Sequence, residues 1–203
     1  MHLKAAAHIE AMSAFALANF GGYDRTTLAQ NESAFPPSPR AIAAGADAMT
    51  RSHLYPDPDW TELRKAIAQT YGAEPDLTLC GAGSMDLISC TIAAFSGPGS
   101  EVLGTSYAYN FVASAVARVD AIYVKAPERD FTVSVDNILT TVTPATRIVF
   151  VCNPGNPTGT RIRNAELLRL RAALPGAILL AIDQAYGEFD DQDSQPVRSG
   201  RRS

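Results

Sequence analysis

The rhythm of apolar and polar positions changes near residue 73. From there on, compact apolar runs at 77–80, 101–104, 121–125, 148–152 and 177–182 alternate with stretches whose apolar residues recur every three or four positions. A short, wholly apolar run fits a strand buried on both faces, and the three-to-four spacing fits an amphipathic helix. The pattern predicts strands over those runs and helices over 85–95, 107–118 and 136–141, the last capped by Asp136. A polar helical segment is expected after residue 159. Repeated strand–helix–strand units of this kind build an α/β fold, a mostly parallel sheet with helices on both faces.

Before residue 73 the pattern is different. Residues 19–39 are irregular and rich in proline, which forces extended backbone and removes donors, so this stretch reads as an ordered arm. A helix is expected over 39–49, an extended turn at 55–59, and a second helix over 60–71 with Asp59 as its cap and Glu62 completing a box-like start. The resulting division is 1–72 as arm and helices of a smaller unit, 73–189 as the α/β domain, and 190–203, polar and aperiodic, as a disordered tail. The alanine-rich first twenty residues are broken by His8, Glu10 and Asn19, which fits a helix on the body or on a partner subunit better than a secretory signal.

Composition narrows the class. Of 203 residues, 46% are hydrophobic and 19% charged, as in ordinary globular proteins, and the net charge of -4 supplies no basic field for nucleic acid or anionic lipid. No run approaches the roughly 20 apolar residues of a membrane span. The cysteines Cys80, Cys90 and Cys152 are odd in number and lack metal-ligand spacing, so they read as small buried hydrophobes of a reduced, cytoplasmic protein.

The chemistry concentrates in 147–186. An apolar strand runs into the turn Asn153-Pro154-Gly155-Asn156-Pro157-Thr158-Gly159, and the next strand ends at Asp183-Gln184-Ala185-Tyr186. Parallel strands deliver such residues to the carboxyl edge of the sheet, where open α/β folds bind ligands. A carboxylate at the end of an apolar strand is costly without a strong donor. The protonated ring nitrogen of pyridoxal phosphate is such a donor, with Asn156 and Tyr186 placed for the ring's phenolate oxygen. The turn Gly81-Ala82-Gly83-Ser84 would take the phosphate on backbone N–H groups, although it lacks the third glycine of a dinucleotide fingerprint and the lysine of a P-loop. Each residue has a plainer alternative: Asp183 as a helix cap, Tyr186 as a core aromatic, Asn156 as a turn former, 81–84 as a tight turn.

The motifs at 31–39, 55–58, 81–86, 152–159 and 183–189 occur in an order that resembles the class I/II, fold-type I pyridoxal-phosphate aminotransferases, nearest to the histidinol-phosphate aminotransferase group. The resemblance implies that Asp183 holds the ring nitrogen, that Tyr186 and Asn156 hold the phenolate oxygen, and that Ala82, Gly83, Ser84 and Met85 bracket the phosphate. It further implies that Tyr107, ahead of Tyr109, stacks on the cofactor ring, and that Tyr55 reaches the phosphate of a neighbouring subunit in a homodimer. The implied reaction moves an amino group between an amino acid and a 2-oxo acid. Two departures stand out: Gln184 replaces the usual glutamate, and Ser33-Ala34-Phe35-Pro36 replaces the usual Asn-Pro-Tyr-Gly.

The family's Schiff-base lysine has no counterpart here, since Lys4, Lys65 and Lys125 are the only lysines and none is in a matching position. The resemblance therefore implies an N-terminal portion of such an enzyme, inactive alone, with two sheet strands absent. On this reading the 148–152 strand borders the gap, the strand before Asp183 lies one place further on, and the phosphate turn stands apart from the carboxylate. Two other readings remain open: a degenerate, non-catalytic binding protein, and a decarboxylase of the same fold.

Overall fold

The computed structural model describes residues 4–12 and 30–190. The chain forms two compact units, one of Met1–Ser13 with Leu63–Ser203 and one of Ala14–Glu62. The expected tail and most of the expected arm before residue 30 lie outside the described residues.

Helix α1 (Ala7–Glu10) belongs to the larger unit; in the smaller one, helix α2 (Pro39–Met49) opens at Ser38, whose hydroxyl accepts the Ala41 N–H at 3.2 Å, with Pro39 preset for the first helical position. Ahead of α3 (Thr61–Tyr71), the Asp57 carboxylate accepts the N–H groups of Asp59 at 3.0 Å and Thr61 at 2.8 Å. Trp60 is left in the left-handed region, at φ 48°.

The larger unit is built on four parallel strands, β1 (Glu101–Thr105), β2 (Ile122–Ala126), β3 (Thr146–Cys152) and β4 (Leu179–Asp183), in the order β2-β1-β3-β4. Alternation along β3 divides the core. Ile148, Phe150 and Cys152 face α4 (Ser84–Phe95) and α5 (Phe111–Arg118), packing with Ile88, Ile92, Val112 and Val116. Val149 and Val151 face α6 (Val135–Thr141) and α7 (Asn164–Ala173), packing with Ile138, Leu167 and Leu170. The expected parallel sheet with helices on both faces is the fold observed.

Several local expectations change. Residues 77–80 form no strand; a 3₁₀ turn at Pro75–Leu77 is followed by Thr78 in extended geometry (φ -104°, ψ 121°) with no ladder partner, and Leu79 is left exposed. A strand exists through its neighbours, and among the described residues none lies beside this segment. Helix α5 begins at Phe111 rather than at 107, because the backbone of 105–109 is used in a turn: Ala108 N–H donates to Thr105 O at 3.2 Å and Tyr107 N–H to Glu128 Oε1 at 3.2 Å. Ser134, not Asp136, caps α6. The strand order also corrects the expected one: among the described residues β3 pairs with both β1 and β4, so β4, carrying Asp183, and not β3, lies at an edge. Cys80 and Cys152 are buried as expected, but Cys90 lies on the exposed side of α4. Among the described residues no helix is long and apolar enough to cross a membrane.

Candidate functional site

The carboxyl ends of β3 and β4 come side by side, with Cys152 opposite Asp183 in the ladder. One further bond, from Asn153 N–H to Asp183 O at 2.9 Å, carries the pairing past the end of β3. The chain then loops from 153 to 162 and is closed by the Asn153 side chain, which accepts from Ile162 N–H at 2.9 Å and donates to Ile162 O at 3.1 Å. Inside the loop, Gly155 N–H donates to Thr160 O at 2.8 Å and Gly159 N–H to Gly155 O at 2.9 Å. Both Asn–Pro bonds, at 153–154 and 156–157, are cis.

This scaffold brings Asn156 to Tyr186, with the amide Nδ2 donating to the phenol oxygen at 3.4 Å. Both side chains are half-buried. Asp183 is the last residue of β4 and is also half-buried. Its Oδ1 accepts the Ala185 N–H at 3.0 Å, and Oδ2 makes no hydrogen bond among the described residues. One carboxylate oxygen thus fixes the turn toward Tyr186, and the other is open to a ligand.

The two tyrosines after β1 diverge. Tyr107 turns to Phe131, with ring centroids 4.9 Å apart, and is about half exposed. Tyr109 packs against the core face that includes Phe150 and Cys152. Burial, then the Asp183 carboxylate, then Tyr186 raise its phenol above the ordinary value. The same surroundings act on Cys152: burial first, then Asp183, push its thiol up to about 11, against a backbone hydrogen bond from Asn156 that lowers it. Asp183, Tyr186, Asn156, Cys152 and Tyr109 therefore form one electrostatic neighbourhood.

The turn 81–84 precedes α4. Gly83 sits at φ 85°, where a side chain would be strained, and a β-carbon on Gly81 would meet Asp86 Oδ2 at 2.7 Å. Two of the turn's N–H groups are already used: Ala82 N–H donates to Asp86 Oδ2 at 3.0 Å and Gly83 N–H to Gly81 O at 2.9 Å. The helix's own bonds begin with Leu87 N–H to Gly83 O, so the N–H groups of Ser84, Met85 and Asp86 are the ones without an intrahelical acceptor. Ser84 and Asp183 line one mostly apolar groove of about 210 Å³ between α4 and the ends of β3 and β4. The expected separation of phosphate turn and carboxylate is thus a groove with one at each side. Tyr55 belongs to the smaller unit, 99% exposed.

Asn153 and Tyr109 carry more of this geometry than the sequence reading assigned to them. The sequence held no local signal for Tyr109, because the start of α5 that places it depends on the Tyr107 N–H bond to Glu128. The signal for Asn153 was the pair of prolines, which leave a loop short of backbone donors.

Residues 23–201 match the family model described as Aminotransferase class I and II. A histidinol-phosphate aminotransferase of Paramagnetospirillum magneticum is 45% identical over 169 residues, covering 83% of this chain and 47% of that protein. One from Jannaschia sp. is 42% identical over 171 residues, covering 84% and 48%. The crystal structure of histidinol-phosphate aminotransferase from Sinorhizobium meliloti in complex with pyridoxal-5'-phosphate superposes with a TM-score of 0.79 at 27% identity, over 82% of this chain and 46% of that one. The chain spans about half the length of the curated relatives it matches.

Proposed function

The chain belongs to the class I and II aminotransferase family, and on that premise we propose that it is the cofactor-orienting portion of a pyridoxal-phosphate-dependent aminotransferase. The observation that carries this is the Asn156–Tyr186 contact beside an Asp183 carboxylate with one oxygen open. The donor set fits the cofactor: a carboxylate for a ring N–H, an amide and a phenol for the ring oxygen, and the first-turn N–H groups of α4 with the Ser84 hydroxyl for the phosphate.

When bound, pyridoxal phosphate supplies an electron-withdrawing ring to the chemistry. Asp183 keeps that ring's nitrogen protonated, because a carboxylate at the sheet edge strengthens a charge-assisted hydrogen bond in partly excluded water. Asn156 and Tyr186 would hold the ring's oxygen. Met85 and Ser84 contribute N–H groups at the phosphate end; Ala82 and Gly83 shape the turn, since their own N–H groups are spent within it. Tyr109, beside Asp183, is better placed than Tyr107 to cover a ring held there. Lys125 lies on β2, at the sheet edge opposite β4, so it supplies no amine at Asp183.

For the whole protein the proposed activity is amino transfer between an amino acid of the histidinol-phosphate type and a 2-oxo acid, supported by the names of the relatives. A homodimer in which Tyr55 meets the neighbour's phosphate, and a cytoplasmic location, complete the reading. The test is equilibrium dialysis of the chain against pyridoxal phosphate. Saturable binding of one equivalent, weakened by Asp183→Ala, is expected. Retention no greater than that of an unrelated protein of equal lysine content would refute it.

A further inference from the structure

Asn153 holds both arms of the site at once, its side chain through Ile162 and its backbone N–H through Asp183. The residue is 4% exposed and sits at the base of the loop that carries Asn156. The loop contains Pro154 and Pro157, which have no N–H, so few backbone bonds are available to close it. Asn153 substitutes for them, pairing in both directions with Ile162, whose side chain packs against the core face of Val149 and Val151. Its backbone N–H simultaneously holds the carbonyl of Asp183. A shift of Asn153 therefore moves Asn156 relative to Asp183, and with it the 3.4 Å contact to Tyr186.

We propose that Asn153 is a positioning residue for cofactor binding: it touches no ligand, and it sets the distance between the amide–phenol pair and the carboxylate. This rests on the functional reading above. The loop's internal bonds at Gly155, Gly159 and Thr160 preserve its shape when the base is cut, so the expected loss is of placement more than of fold.

The experiment compares the chain with Asn153→Ala, Asn153→Asp, Asn156→Ala and the double variant Asn153→Ala/Asn156→Ala, measuring pyridoxal phosphate dissociation constants by dialysis. Asn153→Ala is expected to weaken binding by about tenfold or more, since misplacement by an ångström is expensive. Asn153→Asp, which keeps the acceptor for Ile162 N–H, is expected to lose less. In the Asn153→Ala background, Asn156→Ala should cost less than about twofold, because its contact is already lost. Leu170→Ala, a core truncation in α7, serves as the control for stability. Additive losses, or an equal loss in Leu170→Ala, would overturn the proposal. Hydrogen–deuterium exchange decides the matter without cofactor. Faster exchange in Asn153→Ala confined to 153–163 and 183–187 supports positioning, and faster exchange across the whole sheet overturns it. Failure of the parent chain to bind pyridoxal phosphate would count against the functional reading alone.

Discussion

The amide of Asn156 donates to the phenol of Tyr186 at 3.4 Å, joining the loop after β3 to the turn after β4. A neutral hydrogen bond of this kind contributes on the order of 1 kcal/mol. Tyr186→Phe and Asn156→Ala are each expected to weaken pyridoxal phosphate binding by about five- to tenfold. Because the residues touch, the double variant should lose less than the product of the single losses, and strictly multiplicative losses in dialysis would show that the two act separately.

Asp183 has one structural and one open oxygen. Asp183→Asn keeps an oxygen for the Ala185 N–H and removes the charge. Thermal unfolding is therefore expected to change little, while pyridoxal phosphate affinity falls by about 10- to 100-fold, as for a charge-assisted bond. An affinity matching the parent's would remove Asp183 from the site. Asp183→Ala, which frees the Ala185 N–H as well, should lose both affinity and stability.

The tyrosines after β1 make opposite predictions. Tyr109 lies by Asp183 and Tyr186, and Tyr107 lies on Phe131. Tyr109→Ala is expected to weaken pyridoxal phosphate binding by about tenfold, and Tyr107→Ala by less than about twofold, since only the first removes a ring next to the carboxylate. The reverse order in dialysis would restore Tyr107 as the covering aromatic.

Much of this site was legible because parallel strands bring their carboxyl ends together whatever their order. Asp183, Tyr186 and Asn156 lie just beyond apolar runs, and topology alone unites them. What escaped depended on backbone bookkeeping. The start of α5 moved four residues because Glu128, twenty-one positions on, takes the Tyr107 N–H, and a local pattern cannot show that. The same shift turned Tyr109 inward and Tyr107 outward. Residues 77–80 looked like a strand by apolarity, but strand pairing is a property of neighbours. Ser134 displaced the expected cap of α6 by two residues, within the usual ambiguity of helix starts.

A buried thiol and a half-buried phenol predict the alkaline limit of the fold. Burial, then the Asp183 carboxylate, push the Cys152 thiol from 9.0 to about 11. Burial, then Glu128, push the Tyr123 phenol from 10.0 to about 12. Both folded values are raised, so the native state holds these protons more tightly than the unfolded chain does. The stabilisation is fully present below the unfolded values and is lost as pH rises, between about 9 and 11 for Cys152 and between about 10 and 12 for Tyr123. Each group removes at most about 1.4 kcal/mol per pH unit within its window. Denaturant unfolding between pH 8 and pH 12 should show stability constant at first, then falling, most steeply between about pH 10 and pH 11 where the two windows overlap. Cys152→Ala lowers the plateau by opening a small cavity but should flatten the first window. Tyr123→Phe should flatten the second. Unchanged slopes in both variants would mean that other groups set the alkaline limit.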